Sequence, residues 1–90
     1  MSYFLSLSKE ATKELDRVDR TTEQRIRNRL TQVALAPYST RLSRELIMGQ
    51  GERYSRVGDW RIVFKIDEGQ KVIAISTIQH RSRVYKDLKK

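Results

Sequence analysis

The sequence predicts an α+β domain in the order β-α-α-β-β-β, an antiparallel sheet with a helical hairpin packed on one face. Three features predict it. A short alternating segment, Tyr3-Phe4-Leu5-Ser6-Leu7, comes first. Two runs with apolar residues at helical spacing follow, and then segments alternating with period two around two tight turns. Helices group with helices and strands with strands, which sets this pattern apart from the strand–helix alternation of a parallel sheet. The 90 residues fit one domain, 1–90, with a single modest core.

The first strand is Tyr3 to Leu7. Ser8 is the expected N-cap of the first helix, with Glu10 in the turn where the helix dipole favours an acid. Ala11, Leu15 and Val18 recur at i, i+4 and i+7, so that helix buries one stripe. Asp19-Arg20 interrupts it. Thr21-Thr22-Glu23-Gln24 restarts a helix, and Thr21 with Gln24 has capping-box spacing. Ile26, Leu30, Val33 and Ala34 form the second stripe, while Arg25, Arg27, Arg29 and Gln32 are expected in solvent. Pro37 ends this helix. In the connection that follows, Leu42, Leu46 and Ile47 are expected to dock as a turn or 3₁₀ segment.

The sheet is organised around Arg53-Tyr54-Ser55-Arg56-Val57-Gly58-Asp59-Trp60-Arg61-Ile62-Val63-Phe64. Glycine at the first of two turn positions suits a type II′ hairpin across Gly58-Asp59, because glycine takes positive φ without steric cost. That turn sets Val57 opposite Trp60, Arg56 opposite Arg61, Ser55 opposite Ile62, Tyr54 opposite Val63 and Glu52 opposite Lys65. Trp60, Ile62, Phe64 and Ile66 then share the core face, and Arg61, Val63 and Lys65 the other. Asp67-Glu68-Gly69-Gln70 is the second turn, and Lys71 to Gln79 the last strand. Pairing Ile66 with Lys71 puts Phe64 beside Ile73 and Ile62 beside Ile75, and places Ser76, Ile78 and His80 on the face of Arg61.

Composition narrows the function. There is no cysteine, hence no disulfide and no thiolate chemistry, and with one histidine a dedicated metal site is not expected. No cofactor is expected either. No apolar run approaches the roughly 18 residues of a membrane span, and no basic-then-apolar leader is seen, so the expected location is the cytoplasm, away from membranes. The net charge of +8 points to an anionic partner: nucleic acid, an acidic protein or an anionic membrane surface. Arg56 directly opposite Arg61 sharpens that expectation, because like charges across a strand pair repel unless water or an anion takes them up.

The run Tyr54-Ser55-Arg56-Val57-Gly58-Asp59-Trp60-Arg61-Ile62-Val63-Phe64, followed one hairpin later by His80-Arg81-Ser82-Arg83-Val84-Tyr85, resembles the RelE/ParE superfamily of type II toxins. The resemblance extends over nearly the whole chain in length, element order and basicity, and it implies a RelE-like fold. It implies a ribosome-dependent endoribonuclease, an mRNA interferase that cuts messenger RNA in the ribosomal A site. Its partner would be an acidic, RelB-like antitoxin that wraps the toxin in a hetero-oligomer. A ParE-like inhibitor of DNA gyrase, with the same fold and no nuclease chemistry, is the alternative.

Residue by residue, the resemblance gives Arg61 to the scissile phosphate, Arg81 to phosphate and transition state, and Tyr85 to proton abstraction or base stacking. Arg56 matches a basic position on the preceding strand. RelE-type toxins carry two lysines just before that arginine, where this sequence has Glu52 and Tyr54, and His80 is the expected replacement for the missing acid. Tyr54, Arg56, Arg83 and Lys86 are the expected RNA contacts.

The chemistry agrees. Cleavage by the RNA's own 2′-hydroxyl needs a base, an acid for the leaving 5′-oxygen, and positive charge on the pentacoordinate phosphate. Arginine suits the last role because its planar fork grips phosphate oxygens. Either His80 or Tyr85 would move protons. Tyr54 and Tyr85 could also stack on an unpaired base.

Overall fold

Strand β1 (Phe4–Leu7) leads into helices α1 (Lys9–Arg17) and α2 (Arg20–Leu35), and four strands follow: β2 (Arg44–Glu45), β3 (Glu52–Val57), β4 (Trp60–Asp67) and β5 (Val72–His80). This architecture comes from a computed structural model that describes residues 2–46 and 49–82. The strands form one sheet in the order β1-β5-β4-β3-β2. Both helices lie on one face, α1 across β5 and α2 across β3. Among the described residues no helix is long and apolar enough to cross a membrane.

Local chemistry starts each helix. The Ser8 hydroxyl oxygen accepts from the Ala11 N–H at 3.0 Å and donates to the Ser76 carbonyl at 2.7 Å, so the cap also ties α1 to β5. The second helix begins before the expected Thr21 cap. Asp19 is the N-cap, because its carboxylate offers two acceptors and takes both the N–H and the hydroxyl of Thr22. The predicted stripes are buried: Ala11 and Leu15 from α1, and Ile26, Leu30, Val33 and Ala34 from α2. They meet Ile62, Phe64, Ile73, Ile75 and Ile78 of the sheet. Each such side chain contributes about 1.5–3 kcal/mol relative to exposure.

The Gly58-Asp59 hairpin has the predicted register at every pair, from Val57 with Trp60 to Glu52 with Lys65. Gly58 has a φ of +59° and no other residue of that turn is positive, the pattern of a type II′ turn. The edges of the sheet differ from the expected antiparallel arrangement. β1 pairs in parallel with β5, because strand alternation carries no information on direction and the helical pair returns the chain to the far side of the sheet. A two-residue strand, Arg44–Glu45, adds to β3 where a 3₁₀ or turn segment was expected; Leu42 and Leu46 flank it, and Ile47 lies outside the described residues.

The β4–β5 register also differs. Lys71 takes a φ of +56° and joins the turn, so Asp67 pairs with Val72 and Ile66 with Ile73 rather than with Lys71. That slide of two residues leaves the faces unchanged. A β-bulge between Val63 and Phe64 then inserts Ser76, whose hydroxyl donates to the Val63 carbonyl at 3.2 Å. The bulge reverses the parity beyond it. Ile78 enters the core at 1% exposure, Gln79 stands beside Arg61 in place of Ser76, and His80 pairs with Trp60.

The opposite end of the sheet is closed by a polar cluster. Glu68 accepts from the Lys71 ammonium at 2.8 Å and the Tyr3 hydroxyl at 2.7 Å, with the Tyr38 hydroxyl alongside. Lys71, then Tyr38 and Tyr3, hold the Glu68 carboxyl down at about 2, and Glu68 in turn pushes the Tyr38 phenol up to about 12.

Candidate functional site

The face of the sheet away from the helices carries two of the predicted cations, Arg56 and Arg61. The hairpin register puts Arg56 and Arg61 side by side on it, with Tyr54 and Val63 in the next row. Repulsion between the two arginines is relieved diagonally. The Arg61 guanidinium lies over the Tyr54 ring, 4.7 Å from its centroid, rather than toward Arg56. Among the described residues, Arg44, Arg56 and Arg61 enter no ion pair within 4.0 Å. Three guanidinium groups on adjoining strands thus carry positive charge that no carboxylate among the described residues cancels.

Arg44 is one the sequence did not mark. It pairs with Tyr54 across β2 and β3, so it extends the basic row to the sheet edge. Between it and Arg56 lies a recess of about 180 Å³ lined by Leu42, Ser43, Arg44, Tyr54 and Arg56. A two-residue strand is too short to show alternation, which is why no sequence signal announced it.

The other side of β3 holds this row in place, with polar groups where core was expected. Arg53 is 8% exposed, and it donates from Nε to the Ser43 hydroxyl at 2.9 Å and from Nη2 to the Ser43 carbonyl at 3.1 Å. Ser55 donates to the Leu42 carbonyl at 2.6 Å. Arg29 reaches from α2 to the Ser55 hydroxyl at 3.0 Å and the Arg56 carbonyl at 2.7 Å, and so is not the solvated residue the helix pattern suggested. Its place in the sequence was informative, since it follows Ile26 by three and precedes Val33 by four, on the flank of the buried stripe.

His80 departs from expectation. With the parity reversed by the bulge it shares the helix-side face with Trp60, whose ring it meets edge to face at 5.1 Å. Its Nδ1 accepts from the Ser82 N–H at 3.2 Å and lies 3.0 Å from the Ser82 hydroxyl. The structure therefore does not bring His80 onto the face of Arg61, and its contacts shape the turn that contains Arg81. The Arg81 N–H donates to the Asp59 carbonyl at 2.7 Å, which anchors Arg81 at the hairpin end of the sheet, where Arg56 and Arg61 lie. Arg83, Tyr85 and Lys86 lie outside the described residues.

Comparison with known proteins bears on the fold and the family. The family model of the ParE toxin of type II toxin-antitoxin system, parDE, matches residues 5–85. No curated protein matches the chain. Among solved structures, the chain is similar to the isolated E. coli RelE toxin, with a TM-score of 0.78 at 20% identity over 97% of this chain and 95% of that one. It is similar to a chain of the archaeal RelE-RelB complex from Pyrococcus horikoshii, with a TM-score of 0.77 at 21% identity over 92% and 99% of the two chains. A chain of the intact E. coli RelBE toxin-antitoxin complex gives 0.78 at 17% identity over 88% and 96%. At these identities the likeness carries the fold. With its family model spanning almost the whole sequence, the chain belongs to the ParE toxin family of type II toxin-antitoxin systems, within the RelE/ParE superfamily.

Proposed function

We propose that this toxin is a ribosome-dependent endoribonuclease that cleaves messenger RNA in the A site and so arrests translation. The observation that carries the proposal is the open-face constellation: Arg56 opposite Arg61, with the Arg61 guanidinium seated on Tyr54. An RNA strand supplies the anion the paired arginines call for, and unpaired bases supply rings for tyrosine. In this mechanism the 2′-hydroxyl attacks the adjacent phosphorus and the 5′-oxygen leaves, giving a cyclic phosphate and a free 5′-hydroxyl. Arg61 and Arg81 stabilise the added negative charge, a role that metal ions fill in other nucleases. Tyr85 is the proposed proton-transfer group. His80 faces the helix layer and acts as a positioning residue for the Arg81 turn, not as the acid.

The net charge of +8 suits an acidic RelB-like antitoxin as the neutralising partner, and the ribosome as the target, both in the cytoplasm. The ParE family match favours a second reading, inhibition of DNA gyrase without cleavage. A reconstituted translation system separates the two. Wild-type protein is expected to cut a translated message, with Arg61→Ala slower by about 100-fold. Intact message, together with loss of gyrase supercoiling, would establish the second reading instead.

A further inference from the structure

We infer that Arg44, with Tyr54 and Arg56, forms a second anion subsite that holds a nucleotide of single-stranded RNA beside the one at Arg61. This rests on the reading that the open face takes RNA. Arg44 is exposed on the two-residue strand β2, and it flanks the 180 Å³ recess together with Arg56. Leu42 gives the recess one apolar surface, and Tyr54 belongs both to the recess and to the Arg61 contact. Two sites that share one ring are adjacent along any strand that crosses the face.

The spacing suits a polynucleotide. Arg44, Arg56 and Arg61 sit on three neighbouring strands, and Arg44 is displaced by two residues along the strands from the Arg56–Arg61 pair. With strands about 4.8 Å apart and about 3.4 Å per residue, the Arg44 and Arg61 backbones are about 12 Å apart. Extended arginine side chains reach from there to different phosphates of one chain, with the recess between them.

The recess is also built. Burying an arginine costs free energy unless hydrogen bonds replace its water, and a two-residue edge strand adds little to the sheet by itself. Yet Arg53, almost wholly buried, makes two hydrogen bonds to Ser43, the residue that precedes Arg44. The Ser43 hydroxyl donates on to the Pro37 carbonyl at 3.0 Å, and Ser55 secures the Leu42 carbonyl. All of this polar structure fixes the place from which Arg44 reaches over the recess.

The test is fluorescence anisotropy of the full chain with a short labelled single-stranded RNA carrying a 2′-O-methyl group at every position, titrated across a range of salt. Arg44→Ala is expected to weaken binding several-fold and to lower the slope of log affinity against log salt by about 0.7, the value of one lost phosphate contact on a single strand. Arg44→Lys should restore the slope, because it keeps the charge. Arg61→Ala is the control and should lower the slope equally. A wild-type slope for Arg44→Ala beside a reduced one for Arg61→Ala overturns the subsite and leaves the RNA reading standing. Wild-type slopes for both overturn the RNA reading and the subsite together. Loss in Arg44→Ala that lysine does not restore assigns Arg44 a structural role and also overturns the subsite.

Discussion

Arg61 is oriented by a ring and not by a carboxylate, and this matters for the phosphate contact proposed for it. A carboxylate partner would hold the guanidinium and also cancel its charge, whereas the Tyr54 ring holds it and leaves the charge available. Tyr54→Leu is therefore expected to cut activity about 2–5-fold, the worth of an exposed cation–π contact of about 0.5–1 kcal/mol. The same change in an Arg61→Ala background should cost less, only what Tyr54 contributes through the recess; losses that multiply in full would contradict the coupling. At the other end of the sheet, Glu68 makes stability depend on acid. Its carboxyl ordinarily titrates at 4.5 and here is held at about 2, chiefly by Lys71, so its contribution is whole above about 4.5 and is lost as pH falls toward 2. Thermal melts of Glu68→Gln should depend less on pH across that window than those of the wild type. Identical profiles would remove Glu68 from the acid response.

At the scale of elements, β3 carries the most information per residue, since one side presents Tyr54 and Arg56 and the other buries Arg53, Ser55 and Val57. Arg53→Ala would strand the Ser43 hydroxyl and carbonyl without their donor and loosen β2. We expect a loss of about 3 kcal/mol in denaturant unfolding; a loss below about 1 kcal/mol would mean that β2 does not depend on this arginine. The hairpin register was legible because a two-residue turn with glycine first leaves only one pairing, and the helical stripes were legible from their period. The bulge was not. Nothing in Ile73-Ala74-Ile75-Ser76-Thr77-Ile78 says which residue will be extruded, and a one-residue insertion moved Ile78 and His80 to the opposite face. Arg53 could have been found, because the correctly read register already placed it opposite the core residue Phe64.

Across the whole molecule, the sheet separates two tasks. The helix-covered side supplies stability through Phe64, Ile62, Ile75, Ile78 and the two helical stripes, while the other side presents Arg44, Arg56 and Arg61. The separation predicts that Phe64→Ala unfolds the protein by about 3–5 kcal/mol, whereas Arg61→Ala silences it without changing the melting curve. An acidic antitoxin, as proposed, is expected to associate with the net charge of +8 at a rate that falls as ionic strength rises, read by stopped-flow mixing; a rate indifferent to salt would contradict it. The class of toxin was legible in the sequence from the two motifs and their spacing. The choice between message and gyrase was not, because that choice depends on what the face binds and both branches share the fold.

The most direct measurement is primer extension on a reporter transcript during brief induction of the protein, with translation running and with translation blocked. A ribosome-dependent ribonuclease leaves cuts inside the reading frame that vanish when translation is blocked and are absent in Arg61→Ala. An intact transcript in cells whose growth has stopped would contradict it.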